Sequence, residues 1–157
     1  MPARRPAVTA LVGAAALLTL AGCQKPSAGI TLVSERSSVH FQAQEFCRDG
    51  KSLVRGDECP GTGPKGPQLF SVRQGADVGI DVDKKLADSG WYVVDLDART
   101  QYAVENTHYT SFQADFRNRL VAGVIHLEVR QVDHTPKSDS DTPKVVGQWK
   151  FQLVQKS

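Results

Sequence analysis

Hydrophobic and polar residues alternate in twos along most of this chain. Ile30-Thr31-Leu32-Val33 opens the pattern, and Val39, Phe41 and Ala43 then share one face, with Ser38, His40 and Gln42 between them. Val78, Ile80 and Val82 alternate with Asp77, Gly79, Asp81 and Asp83. Ile125, Leu127 and Val129 face one way and His126, Glu128 and Arg130 the other, and Trp149, Phe151 and Leu153 alternate with Gln148, Lys150 and Gln152. A period of two is the mark of a half-buried strand. Leu69–Val72 predicts a short strand, Trp91–Leu96 is dense in β-formers, and Tyr109–Phe116 predicts another. Breakers divide these runs. Residues 60–67 carry three prolines and three glycines, Asp88-Ser89-Gly90 predicts a turn, and residues 133–144 form a polar loop with two prolines. Lys84-Lys85-Leu86-Ala87 fits one helical turn, and residues 97–106 carry no period. Short strands without a long 3.6-residue period predict an antiparallel, immunoglobulin-like β-sandwich of seven or eight strands over residues 30–157.

The first residues follow a different logic. Arg4 and Arg5 precede the apolar, small-residue run Ala7–Leu20, and Leu20-Ala21-Gly22-Cys23 follows the pattern of a bacterial lipobox. Charged start, apolar stretch and small-residue cut site describe a secretory signal peptide over residues 1–22. At fourteen residues this run is short for a helix crossing roughly 30 Å of hydrocarbon. Cleavage before Cys23, with diacylglycerol on its sulfur, would leave a lipid-anchored protein on the extracytoplasmic face of the cell membrane. Two acyl chains hold such an anchor stably, at about 0.8 kcal/mol per buried CH₂. Arg4-Arg5 leaves twin-arginine export open, although the polar and aromatic residues expected around that pair are missing. Residues 23–29, polar and bearing Pro and Gly, read as a lipidated tether to the domain.

Removal of the leader changes the charge. Without Arg4 and Arg5 the 19 Lys+Arg fall to 17, against 17 Asp+Glu. A neutral domain has no electrostatic case for nucleic acid, where phosphate neutralisation supplies most of the affinity. The expected partners are the membrane, through the anchor, and an envelope protein or cell-wall component.

Of three cysteines, the lipobox takes one. The even remainder in an exported domain, Cys47 and Cys59, favours a disulfide across a turn-rich loop. Eleven intervening residues make no Cys-x-x-Cys motif, and no histidine lies near in sequence, which argues against a redox or metal pair.

The candidate chemistry is sparse. Asp77, Asp81 and Asp83 share a strand parity, and Asp95 and Asp97 follow on the next strand. Were those strands adjacent, the carboxylates would gather into a patch suited to a hard cation. No Asp-x-Asp-x-Asp-Gly loop supports this, and a solvated acidic face balanced by Lys84 and Lys85 is the simpler expectation. His40, His108, His126 and His134 are scattered. No Gly-x-Ser-x-Gly elbow or other nucleophile motif is present, and Gly61–Gly66 has the residues of a phosphate loop in the wrong order. The sequence therefore predicts no enzyme and no cofactor. Trp149 reads as core, whereas Trp91, at a strand start after Gly90, is either core or the lining of a surface groove.

Several segments carry a family resemblance. After the lipobox come Phe46-Cys47-Arg48-Asp49-Gly50-Lys51, the second cysteine Cys59, and Val78-Gly79-Ile80-Asp81-Val82-Asp83. Leu86-Ala87-Asp88-Ser89-Gly90-Trp91 and the last strand Gly147–Leu153 complete the set. Over residues 23–157 the chain resembles the small actinobacterial lipoproteins grouped as domain of unknown function 2771. The resemblance implies the lipid cysteine and the cysteine pair, and it implies no activity. The expected function is a non-enzymatic, membrane-anchored binding or interaction module. The alternative is a lipoprotein that binds a small ligand or a metal.

Overall fold

The structure is a computed structural model that describes residues 28–47, 51–53, 59, 63–102, 104–138 and 140–157. The expected signal peptide, Cys23 and the part of the expected tether before Ala28 lie outside the described residues. In chain order the elements are β1 (Gly29–Ser34), β2 (Ser37–Gln42), β3 (Glu45–Phe46), β4 (Gln68–Val72) and β5 (Asp77–Val82). Helix α1 (Lys84–Ser89) follows. The chain then forms β6 (Trp91–Asp95), β7 (Thr100–Gln101), β8 (Tyr109–Gln113), β9 (Val124–Val132) and β10 (Val145–Gln155).

These strands make the expected antiparallel β-sandwich. One sheet has four strands in the order β2-β1-β5-β8, and the other has six. In the second sheet β9 lies between β6 and β10, with β7 on the far side of β6. The free side of β10 is shared: β3 pairs with Gly147 and Gln148, and β4 pairs with Phe151–Gln155. The β4–β10 pairing is parallel. Ten strands are present among the described residues, more than expected, because the two-residue strands β3 and β7 are too short to show a period.

The alternation fixes the core. Val78, Ile80 and Val82 from the four-stranded sheet and Ile125, Leu127, Val129, Trp149, Phe151 and Leu153 from the six-stranded one are all buried in one cluster. Phe41 and Phe151 meet edge-on across the two sheets, with centroids 5.0 Å apart at 64°. All residues of this cluster fall between Ala28 and Leu153. The described residues thus hold a core to which both sheets contribute. Val39 departs from its expected face-mates and is exposed. It sits on β2, an edge strand with a neighbour on one side only.

A short helix turns the chain from one sheet to the other. Asp83, expected on the acidic face of a strand, is its N-cap: Oδ1 accepts from the Leu86 N–H, and Oδ2 from the Gly29 N–H at 2.8 Å. Such a cap contributes about 1 kcal/mol. The helix extends through Asp88-Ser89, which the sequence reads as a turn, and ends at Gly90 with φ 95°, where a Cβ would be strained. Cys47 and Cys59 form the expected disulfide. With a sequence separation of 12, loop entropy gives such a bridge about 3 kcal/mol.

Candidate functional site

Strand β6 is apolar on both faces. Trp91 and Val93 enter the main core, while Tyr92 and Val94 point to the outer side of the six-stranded sheet. There Tyr92 joins Val132, at the end of β9, and Val145, at the start of β10, in a second apolar cluster with Leu53, Val94 and Val104 packed against it. The loop 133–144 rises beside this cluster. Its two ends are tied by the Asp133 N–H to the Lys144 carbonyl at 3.0 Å and by the Lys144 N–H to Asp133 Oδ1 at 2.8 Å. Between them lies an open groove of about 520 Å³, with Tyr92, Val132 and Val145 in the lining, Pro136, Thr142 and Pro143 from the loop, and Gln101 and Val104 from the sheet edge. That size falls within the roughly 300–1,000 Å³ of small-molecule sites.

Charges frame the groove without filling it. Arg130, on the same outer face, donates to Glu128 at 2.6 Å. Burial acts against the Arg130 guanidinium, yet its bonds to Glu128 and Tyr92 hold its pKa above the ordinary value. Among the described lining residues, the one charged side chain is Lys144.

The loop wall is clasped by His134. Its Nδ1 lies 2.8 Å from Asp133 Oδ1 and its Nε2 lies 2.9 Å from Asp141 Oδ1. Asp141 Oδ2 also accepts the Lys137 N–H. Both ring nitrogens face carboxylates, so only the doubly protonated imidazolium donates to both. The bond to Asp141 raises the His134 pKa, burial opposes it less strongly, and the charges of Asp141 and Asp133 add smaller upward effects. A raised folded-state pKa means the clasp is fully made below the ordinary histidine value and is lost as pH rises through the folded one. Asp141 is lowered, chiefly by the bond from His134, so it stays charged throughout that window. An NMR titration of the His134 ring should give a midpoint above 6.5, with Asp141→Asn bringing it down. A midpoint at or below 6.5 would mean that the clasp is not formed.

The expected site residues do not converge. Asp77 and Asp81 are exposed on β5, in the four-stranded sheet, whereas Asp95 ends β6, in the other. The strands that carry the aspartates are therefore not neighbours, and Asp83 is a helix cap. Asp95 is buried: Oδ2 meets Arg119 at 2.6 Å, and Oδ1 accepts from the Asp97 and Ala98 N–H groups. Asp97 binds the His126 backbone N–H and Nδ1. No group of three or more His, Cys, Asp or Glu that could hold a metal occurs among the described residues. Trp91 lines no groove. It is 0% exposed, and its indole N–H donates to the Thr107 carbonyl at 2.8 Å.

The groove residues escape sequence reading because Tyr92, Val132 and Val145 are far apart in the chain. The signal that points to them is Trp91-Tyr92-Val93-Val94, apolar at both parities, which calls for cover on both faces of the sheet.

The fold and the groove define an antiparallel β-sandwich with a ligand-sized cleft on the outer face of its larger sheet. Comparison with family models, with curated proteins and with solved structures finds no match to this chain.

Proposed function

We propose that this protein is an extracytoplasmic lipoprotein, anchored to the cell membrane through Cys23, whose sandwich is a non-enzymatic binding module with the groove as its site. The groove carries this reading. Its described lining is mainly apolar, with polar groups from Tyr92, Ser52, Gln101, Thr142 and Lys144, a set suited to orienting a ligand, and no acid–base pair occurs among these described residues. It favours a small ligand over a metal. The Cys47–Cys59 bridge supports export, since such bonds persist in oxidising compartments. The lipobox Leu20–Cys23 and the segments Phe46–Lys51, Val78–Asp83, Leu86–Trp91 and Gly147–Leu153 support a place among the domain of unknown function 2771 lipoproteins. An envelope protein or cell-wall component is the partner this location offers.

Two measurements test the proposal. Mass spectrometry of the mature protein should show a chain beginning at Cys23 and carrying at least two acyl chains, with none on Cys23→Ser. Wild-type protein in the medium with an unmodified amino terminus would overturn the anchor. For the groove, the neutral apolar dye N-phenyl-1-naphthylamine should bind the protein saturably at one site. Val104→Trp, which places a bulky ring in the lining, should abolish that binding. Dye binding that never saturates, or that survives Val104→Trp, would overturn the groove as the site.

A further inference from the structure

The groove is linked through the fold to the start of β1. Gly29 donates to Asp83 Oδ2 and accepts from the Asp83 N–H. Helix α1 leads from Asp83 to Gly90, and the Gly90 carbonyl accepts the N–H of Val132, a residue of the groove. Gln131 Nε2 adds a 2.7 Å bond to Ser89. One hydrogen-bonded path thus joins the strand that follows the tether to the groove floor. The far end of β6 holds the Asp95–Arg119 pair, with the exposed Leu96 and Leu120 beside it. Covalent geometry alone keeps Ala28 within about 17 Å of Cys23, so a lipidated Cys23 puts the groove, and not that far end, next to the lipid surface.

The lining chemistry narrows the occupant. An apolar floor of Tyr92, Val132 and Val145 and a wall bearing Pro136 and Pro143 suit a hydrocarbon tail, and among the described lining residues Lys144 offers the one charge. Among the described acids of the loop, Asp133 and Asp141 are both engaged by His134, so neither stands free to oppose an anion. Tail and anion in one small molecule describe an amphiphile. We propose that the groove takes a single-chain anionic amphiphile from the membrane surface, its tail along the Tyr92–Val132–Val145 floor and its carboxylate or phosphate head at Lys144. This rests on the groove being the binding site and Cys23 the anchor.

Displacement of N-phenyl-1-naphthylamine from the protein tests it, with three twelve-carbon probes each kept below its micelle concentration. Laurate and dodecyl phosphate carry anionic heads, and dodecyl maltoside carries the same tail on a neutral one. At least one anion should displace the dye at a concentration about tenfold or more below the maltoside, the scale of one charge-assisted hydrogen bond. Laurate alone would assign a fatty acid, dodecyl phosphate alone a phospholipid-type head, and both a site that reads charge. Lys144→Glu should remove the anionic preference and leave the melting temperature unchanged. NMR shifts on laurate addition should fall on Val132, Thr142 and Val145. Equal potency of all three probes, an anionic preference that survives Lys144→Glu, or shifts confined to Leu96, Leu120 and Val121 would overturn the amphiphile. Because the dye reports the groove independently, binding of dye without anionic preference sinks only the ligand class, whereas absence of dye binding sinks the groove itself.

Discussion

Phe151→Ala is expected to destabilise the domain by about 4 kcal/mol, read as a lower urea midpoint with an unchanged denaturant slope. Phe151 is 2% exposed and lies on β10, the strand with neighbours on both sides through most of its length. Its ring meets Phe41 of the other sheet edge-on. Truncation removes the transfer energy of the ring and leaves a void that two hydrogen-bonded sheets cannot close, because backbone pairing on each side resists collapse. Phe151→Leu should recover more than half of the loss. A double-mutant cycle with Phe41→Ala should return a coupling of about 0.5–1.5 kcal/mol for the aromatic pair. A loss under about 1 kcal/mol for Phe151→Ala would mean that the sheets are not packed on each other through this contact.

The second large effect belongs to Asp95 and Arg119. Their side chains are 6% and 13% exposed, and Arg119 Nε also donates to the Asp115 carbonyl, pinning the loop before β9 to the end of β6. Arg119→Met keeps much of the bulk and removes the charge, leaving a buried carboxylate whose remaining partners are two backbone N–H groups. The expected cost is about 3–4 kcal/mol, mostly the penalty of an unpaired buried charge and not the net worth of the pair. A second substitution separates these. Adding Asp95→Asn to Arg119→Met should restore most of the stability, since an amide oxygen still accepts from Asp97 and Ala98. A deficit unrelieved by the double substitution would assign the loss to packing.

The aspartates show where sequence reading stops. Asp77, Asp81, Asp83, Asp95 and Asp97 look alike in the chain, five acids at strand-like spacing. In the fold Asp77 and Asp81 stay in solvent, Asp83 caps a helix, Asp95 pairs with Arg119, and Asp97 holds His126. Arg119 is 24 residues from Asp95 and His126 is 29 from Asp97, and nothing local names either partner. Glu128 shows the same lesson: its parity on β9 points outward as expected, yet it is buried by Arg130 and the second apolar cluster's side of the sheet. For the helix the missed signal was local. Asp83 three residues before Leu86, with Gly90 at the far end, is a cap at each terminus.

What the sequence by itself determined is which residues are inside. A side-chain period of two is a property of the extended backbone, so Val78-Ile80-Val82, Ile125-Leu127-Val129 and Trp149-Phe151-Leu153 are committed to one face before any strand pairs. Prolines and glycines then fix where strands stop, and two cysteines in one turn-rich loop bring their own bond within reach. Tertiary structure alone decided which strands became neighbours. The parallel seating of β4 on β10, the separation of β5 from β6 into opposite sheets, and the meeting of Tyr92, Val132 and Val145 under the 133–144 loop all depend on contacts across the chain. Backbone N–H and C=O groups are the same at every residue but proline, so hydrogen bonding within a strand carries no address. The address comes from how the two apolar faces pack, and that exists only once both sheets are formed.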